Sequence, residues 1–254
     1  MIGFGLDLSG YSTGGTALAA VRISGETAAA VILHGSAFSR YRHGADDARG
    51  ALAEEREALS KCLTLGPLAV DVPIDLQGLP APHGLRFIWE LTKRPVDYAF
   101  AAMAPLADRL GACVARFGAL LAAGQLQSEL GRRLFETYPA ATLALLGAPN
   151  KRYKGIVGRG RCSEIAKRLG FDDCDLLDHE LDAIICAVTA AVPHRYRLQG
   201  QRLVQRMHEL APLTEMTPLG QCGPAGFILL EQWPCRRLGV SKGDFQSWMK
   251  TSGS

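Results

Sequence analysis

The chain has 254 residues, of which 48% are hydrophobic and 21% are charged, a balance typical of a globular protein with a large core. Its net charge of +3 is too small to indicate nucleic-acid binding, so any basic surface has to be local. No apolar run approaches the roughly 18 residues of a membrane span, and the N-terminus lacks the basic segment of a signal peptide. We therefore expect a cytoplasmic protein that does not bind membranes.

The first third of the chain predicts three strands, a helix and a fourth strand. The strands at 2–10, 16–23 and 27–34 are apolar and separated by Gly/Ser turns, so they should form an antiparallel meander. Residues 46–63 carry apolar side chains at helical spacing, and 68–74 form a short apolar strand that ends at a proline.

The remaining elements are helices, two single strands and two irregular segments. In order they are a Pro/Gly-rich excursion (75–96), a helix (105–127), a strand (132–139), a basic loop (151–161), helices (163–169, 178–192, 201–210) and a late strand (226–230). This order is that of a ribonuclease H-like α/β fold, in which the first and fourth strands lie side by side. We predict a mixed five-stranded central sheet flanked by helices, with an extra C-terminal strand and helix. One domain should span 1–240, followed by a tail over 241–254.

Four carboxylates stand out because each interrupts an apolar segment: Asp7, Asp71, Glu136 and Asp182. A buried carboxylate is costly unless it is paired, hydrogen-bonded or bound to a metal. Converging carboxylates repel one another, and a hard divalent cation with oxygen ligands relieves that repulsion. The four acids together favour a site for Mg²⁺ or Mn²⁺.

Each acid also has a simpler interpretation. Asp7 or Asp71 alone fits a cap for the turn that follows its strand. Glu136 fits an ion pair with one of the two arginines just before it in the chain. Asp182 is different, because it lies past the first turn of its helix and against the apolar face.

A basic loop interrupted by glycines is the second feature of the sequence that indicates a function. Residues 151–168 contain seven basic side chains and one acid, a pattern typical of phosphate contacts or of a solvated loop. The predicted phosphate-binding residues are Arg94, Lys151, Arg152, Lys154, Arg159 and Arg161.

The chain resembles the DUF429 family, whose members are described as predicted nucleases of the ribonuclease H-like superfamily. The matching segments are 5–10 (GLDLSG), 70–76 (VDVPIDL), 93–97 (KRPVD), 135–140 (FETYPA), 153–154 (YK), 178–190 (DHELDAIICAVTA) and 224–228 (PAGFI). The resemblance implies a metal-dependent nuclease with Asp7, Asp71 and Asp182 as metal ligands, assisted by Glu136 or Asp178. We accordingly predict Asp7, Asp71, Glu136 and Asp182 as catalytic residues, Mg²⁺ or Mn²⁺ as cofactor and nucleic acid as partner.

Two other functions stay open at the level of sequence. An ATP-dependent kinase of the actin/sugar-kinase type opens with a similar Asp strand and Gly/Ser/Thr turn, here 7–16, but needs two copies of the fold, for which 254 residues leave little room. A non-catalytic nucleic-acid or nucleotide-binding protein is the third possibility. The distance between the carboxylates of Asp7, Asp71 and Asp182 discriminates among them, because a metal-dependent enzyme requires all three to converge.

Overall fold

A computed structural model of the protein describes residues 1–10, 15–40, 48–74, 94–100, 102, 110–155, 158–172, 175–210 and 226–252. The strands are β1 (Ile2–Asp7), β2 (Ala17–Ser24), β3 (Thr27–His34), β4 (Leu68–Asp71), β5 (Leu134–Glu136), β6 (Arg197–Leu198), β7 (Leu229–Leu230) and β8 (Arg237–Asp244). The α-helices are α1 (Ala37–Arg40), α2 (Ala48–Leu65), α3 (Pro95–Ala99), α4 (Gly111–Gly124), α5 (Pro139–Leu145), α6 (Arg159–Arg168), α7 (Asp178–Ala191), α8 (Gly200–Leu210) and α9 (Phe245–Ser252). Short 3₁₀ helices occupy Leu126–Glu129 and His194–Tyr196.

The central sheet is mixed and, within the described ranges, has six strands in the order β5-β4-β1-β2-β3-β8. The antiparallel β1-β2-β3 meander and the adjacency of β1 and β4 are confirmed, and β1 and β4 run parallel. The predicted count of five strands is wrong, because β8 pairs in parallel with the whole length of β3. Its sequence, RLGVSKGD, is polar and half-exposed, so no alternating apolar pattern marks it as a strand. The free edge of β3 supplies its hydrogen-bonding partners.

The C-terminal residues differ from the predicted tail. Residues 241–244 complete β8, and α9 follows directly. Phe245 is buried, and the Trp248 ring packs edge-on against Phe4 with 5.1 Å between centroids. This part of the chain therefore contributes to the core.

Three other element boundaries changed. Predicted strand 132–139 shortens to β5, because Pro139 begins α5 with its restricted φ angle. Helix α6 begins inside the predicted basic loop. The predicted strand 226–230 shortens to the two residues of β7, which pair with β6. Residues 226–228 run beside β5. Residues 75–93 of the predicted excursion and residues 105–109 of the predicted helix lie outside the described residues.

The sheet separates two apolar layers. One layer contains α6 and α7, and the other contains α2 and α4. No helix among the described segments combines the length and the apolarity that crossing a bilayer requires.

The two faces of strand β1 carry different side chains. Phe4 and Leu6 pack into the layer of α2 and α4, while the alternate residues Gly3, Gly5 and Asp7 share the opposite face. A Cβ placed on Gly5 would lie 2.0 Å from the carbonyl oxygen of Ala183, so only glycine lets the α7 backbone approach this closely. The two glycines therefore set the distance between α7 and the strand that carries Asp7.

A buried ion pair supports the end of β1. Arg116 of α4 pairs with Glu55 of α2, and its Nη1 donates a hydrogen bond of 2.7 Å to the carbonyl oxygen of Ser9. The hydroxyls of Ser9 and Thr16 lie 2.9 Å apart, which joins the chain leaving β1 to the chain entering β2. These contacts hold the backbone two residues beyond Asp7.

Candidate metal centre

Three carboxylates meet at the C-terminal ends of two parallel strands. Asp7 ends β1 and Asp71 ends β4, and the two residues are direct register partners. Asp182 reaches them from α7, the helix whose backbone packs against Gly5. One oxygen from each residue lies within 4.8 Å of the other two. The predicted convergence of these three side chains is confirmed.

The environment of Asp182 is the most enclosed of the three. The side chain of Asp182 has no exposed surface, whereas that of Asp71 is 16% exposed. The hydroxyl of Tyr153 donates a hydrogen bond of 2.9 Å to Asp182 Oδ1. Oδ2 accepts no well-aligned hydrogen bond from the described residues, and its contact is an ion pair with Lys154 Nζ at 2.6 Å. Oδ2 is therefore a buried anionic oxygen with a cation as its neighbour.

Burial and mutual repulsion make Asp7 and Asp71 hard to ionise. Burial raises the pKa of Asp71 to about 7, Lys154 opposes the rise, and the carboxylate of Asp182 adds to it. Burial likewise raises the pKa of Asp7 well above its usual range, with Lys154 again opposing. For Lys154, burial lowers the pKa, but the three surrounding carboxylates outweigh burial and raise it well above normal.

These residues fit a hard divalent cation. The donor set consists of carboxylate oxygens, which Mg²⁺ and Mn²⁺ prefer. Three ionised carboxylates carry a formal charge of −3, of which the Lys154 ammonium offsets one, so the cluster keeps a net negative charge that attracts a divalent ion. The buried Oδ2 of Asp182 supplies an oxygen that lacks a well-aligned donor.

The raised pKa of Asp71 predicts how stability depends on pH in the metal-free protein. Asp71 ionises near 3.8 when unfolded and near 7 when folded, so the native state binds more protons between these values. Stability from this source is present below about pH 4 and is lost as pH rises to about 7. We expect the free energy of unfolding, measured with urea in EDTA, to fall across this window.

Asp71→Asn provides the comparison, because it removes the titrating group while the other acids remain. We expect the variant to show a shallower decline than the wild type over the same pH range. Identical pH profiles for the two proteins would contradict the raised pKa.

Glu136 is not one of the three converging carboxylates and instead belongs to a buried network with Arg94. Arg94 Nη2 lies 2.8 Å from Glu136 Oε1, and Arg94 Nε donates a 2.9 Å hydrogen bond to Asp97. Glu136 Oε2 also accepts the backbone N–H of Ile74 at 2.9 Å. Burial raises the pKa of Glu136, although Arg94 opposes the rise. Its ionic partner is therefore Arg94, which is distant in sequence, and the structure pairs two predicted site residues with each other.

The structure places the predicted phosphate-binding residues of the basic loop in different environments. Lys154 turns toward the aspartates, while Lys151 and Arg152 are exposed. Arg161 is also exposed and donates a 2.9 Å hydrogen bond to the carbonyl oxygen of Lys151. The side chain of Arg159 lies outside the described part of the structure.

A cavity of about 940 Å³ opens in front of the cluster. The charged residues that line it are Asp7, Asp71, Arg94, Asp97, Glu136, Arg152, Lys154 and Asp178. Two of the three converging aspartates are thus accessible to a ligand, while Asp182 lies behind them.

Sequence reasoning missed two contributors to this geometry. The first is Tyr153, whose basic neighbours in the sequence give no sign that its ring is buried and that its hydroxyl orients Asp182. The second is the glycine face of β1. The period-two spacing of Gly3, Gly5 and Asp7 was a usable signal, because it places two missing side chains on the face of the carboxylate.

Comparison of the chain with protein-family models, with curated proteins and with solved structures found no match.

Proposed function

We propose that the protein is a divalent-metal-dependent phosphodiesterase that cleaves nucleic acid. The observation that carries the proposal is the convergence of Asp7, Asp71 and Asp182 within 4.8 Å beside an open cavity. Carboxylates this close repel one another, and a bound divalent cation relieves that repulsion. The element order and the adjacency of β1 and β4 support the further proposal of a ribonuclease H-like fold and an affiliation with DUF429.

The proposed chemistry assigns separate tasks to the side chains. Asp7, Asp71 and Asp182 would hold Mg²⁺ or Mn²⁺, which when bound stabilises the charge that develops in phosphoryl transfer. Tyr153 keeps the Asp182 carboxylate in one orientation through its hydrogen bond. The ends of β1 and β4 hold the other two carboxylates on rigid backbone, which keeps the ligand oxygens in place.

Exposed basic residues beside the cavity supply a route for phosphate contacts. Arg152 lines the cavity, Lys151 is exposed beside it in the loop, and Arg161 is exposed in the first turn of α6. Such side chains bind a phosphate backbone without reading its sequence. We propose single- or double-stranded nucleic acid as the substrate class.

The test is a cleavage panel of single- and double-stranded DNA, RNA, hybrid and junction substrates. We expect cleavage of at least one substrate with Mg²⁺ or Mn²⁺ and none in EDTA, because the carboxylates alone cannot stabilise a developing negative charge. ATP turnover is measured on the same samples. No cleavage of any substrate by protein that binds Mn²⁺ would contradict the nuclease proposal, and ATP hydrolysis would favour the kinase-type alternative.

A further inference from the structure

The ammonium group of Lys154 lies among the three converging aspartates. Its Nζ lies 2.6 Å from Asp182 Oδ2 and 3.8 Å from Asp71 Oδ2. The side chain is 53% exposed, so its stem borders the open cavity while its ammonium group reaches the carboxylates. Because Asp182 Oδ2 has no well-aligned hydrogen bond from the described residues, the ammonium compensates its charge.

The backbone around Lys154 is held in place independently of its own side chain. The Tyr153 ring is buried and its hydroxyl bonds to Asp182. The backbone N–H of Gly155 donates a 2.7 Å hydrogen bond to Asp178 Oδ2 at the start of α7. The thiol of Cys162 donates to the carbonyl oxygen of Tyr153 at 3.2 Å. The ammonium group can therefore move while the backbone that carries it stays fixed.

The ammonium and a metal ion need the same oxygens. A divalent ion bound by Asp71 and Asp182 would lie about 2.0–2.6 Å from their carboxylate oxygens. An ammonium 2.6 Å from Asp182 Oδ2 occupies that region. Lysine carries a point charge on a flexible four-carbon stem, and the cavity gives that stem room to swing away.

We propose that Lys154 is the internal counter-ion of the Asp7–Asp71–Asp182 cluster, and that a divalent cation binds by displacing its ammonium group into the cavity. The inference rests on the proposed metal site but not on nuclease activity. Lys154 stabilises the metal-free protein and, by competing for Asp182, lowers the affinity for metal.

The first experiment measures Mn²⁺ affinity by isothermal titration calorimetry for the wild type, Lys154→Met and Lys151→Met. Methionine keeps much of the stem and removes the charge, and Lys151 is an exposed lysine of the same loop. We expect Lys154→Met to bind Mn²⁺ about tenfold more tightly, a change of about 1.4 kcal/mol. Lys151→Met should match the wild type. In EDTA, Lys154→Met should unfold at a lower temperature than the wild type, and saturating Mn²⁺ should close that difference.

A second measurement uses the unmodified protein. Limited acetylation of lysines, read by mass spectrometry, reports whether each ammonium is engaged. We expect Lys154 to react several-fold faster in saturating Mn²⁺ than in EDTA, because displacement frees its amine. The rate at Lys151 should stay constant.

The outcomes separate this inference from the nuclease proposal. Equal or weaker Mn²⁺ binding by Lys154→Met, with the wild type binding normally, overturns the counter-ion role and leaves the metal site standing. Absence of Mn²⁺ binding in all three proteins overturns both the counter-ion role and the metal site. The expected affinity difference without cleavage of any nucleic acid supports the counter-ion role and overturns only the nuclease activity.

Discussion

Asp7→Asn is expected to reduce Mg²⁺-dependent cleavage by at least about a hundredfold. Loss of an outer-shell partner of a metal ligand typically costs 10–100-fold in affinity or activity, so loss of a ligand itself should cost more. Asp7 contributes one of the three converging oxygens, and its amide replacement carries no charge. Initial cleavage rates measure the loss of activity, and Mn²⁺ titrations on the same preparations measure the loss of metal affinity.

The same substitution should stabilise the metal-free protein. Burial raises the pKa of Asp7 well above its usual range, so its ionised form destabilises the fold at pH 8. We expect Asp7→Asn to increase the free energy of unfolding in EDTA, because the amide removes a buried charge that the fold disfavours. A rise in stability with a loss of activity excludes misfolding as the cause.

Asp175→Asn is the matched control, because Asp175 is exposed and lies outside the cluster. It should leave both cleavage and unfolding unchanged. If Asp7→Asn cleaved as fast as this control, the observed nuclease activity would come from another site or from a contaminant.

Gly5→Ala is expected to destabilise the protein by about 3 kcal/mol or more, the upper range for overpacking a core. The added Cβ would lie 2.0 Å from the carbonyl oxygen of Ala183 and 2.2 Å from the backbone nitrogen of Ala187. Both atoms belong to the backbone of α7, so no side-chain rotation relieves the clash. Urea unfolding in EDTA measures the loss of stability.

The effect should extend to metal binding. Relief of the clash requires α7 to move away from β1, which takes Asp182 away from Asp7. We therefore expect any folded fraction of Gly5→Ala to bind Mn²⁺ more weakly than the wild type.

Gly118→Ala provides the contrast within α4. Nothing lies within 4 Å of a Cβ at this exposed position, and alanine favours a helix over glycine by about 0.5–1 kcal/mol. This variant should be slightly stabilised. Comparable stability of Gly5→Ala and Gly118→Ala would mean that α7 and β1 tolerate a wider separation than the structure indicates.

The elements with strong apolar periodicity were predictable from local sequence. The β1-β2-β3 meander and α7, predicted at 178–192 and observed at Asp178–Ala191, follow directly from spacing. Strand β8 was missed because its polar residues lie at an edge, where pairing with β3 substitutes for burial. Local patterns report which side chains are buried, and an edge strand buries few.

The candidate site likewise has a part that local sequence predicts and a part that it does not. The sequence contained the reason to select Asp7, Asp71 and Asp182, since each carboxylate interrupts a run that otherwise predicts burial. It left the partner of Glu136 open between a metal site and a neighbouring arginine. The observed partner, Arg94, is 42 positions away, and only packing brings such a pair together.

The α/β character, the adjacency of the first and fourth strands and the three converging acids were predictable from the amino-acid sequence. Three contacts were not: Lys154 points at those acids, Glu136 pairs with Arg94, and two glycines let α7 approach β1. Periodicity predicts burial within a single segment and carries no information on which segments meet. Charge pairing and close backbone approach depend on distances between segments that are far apart in the chain.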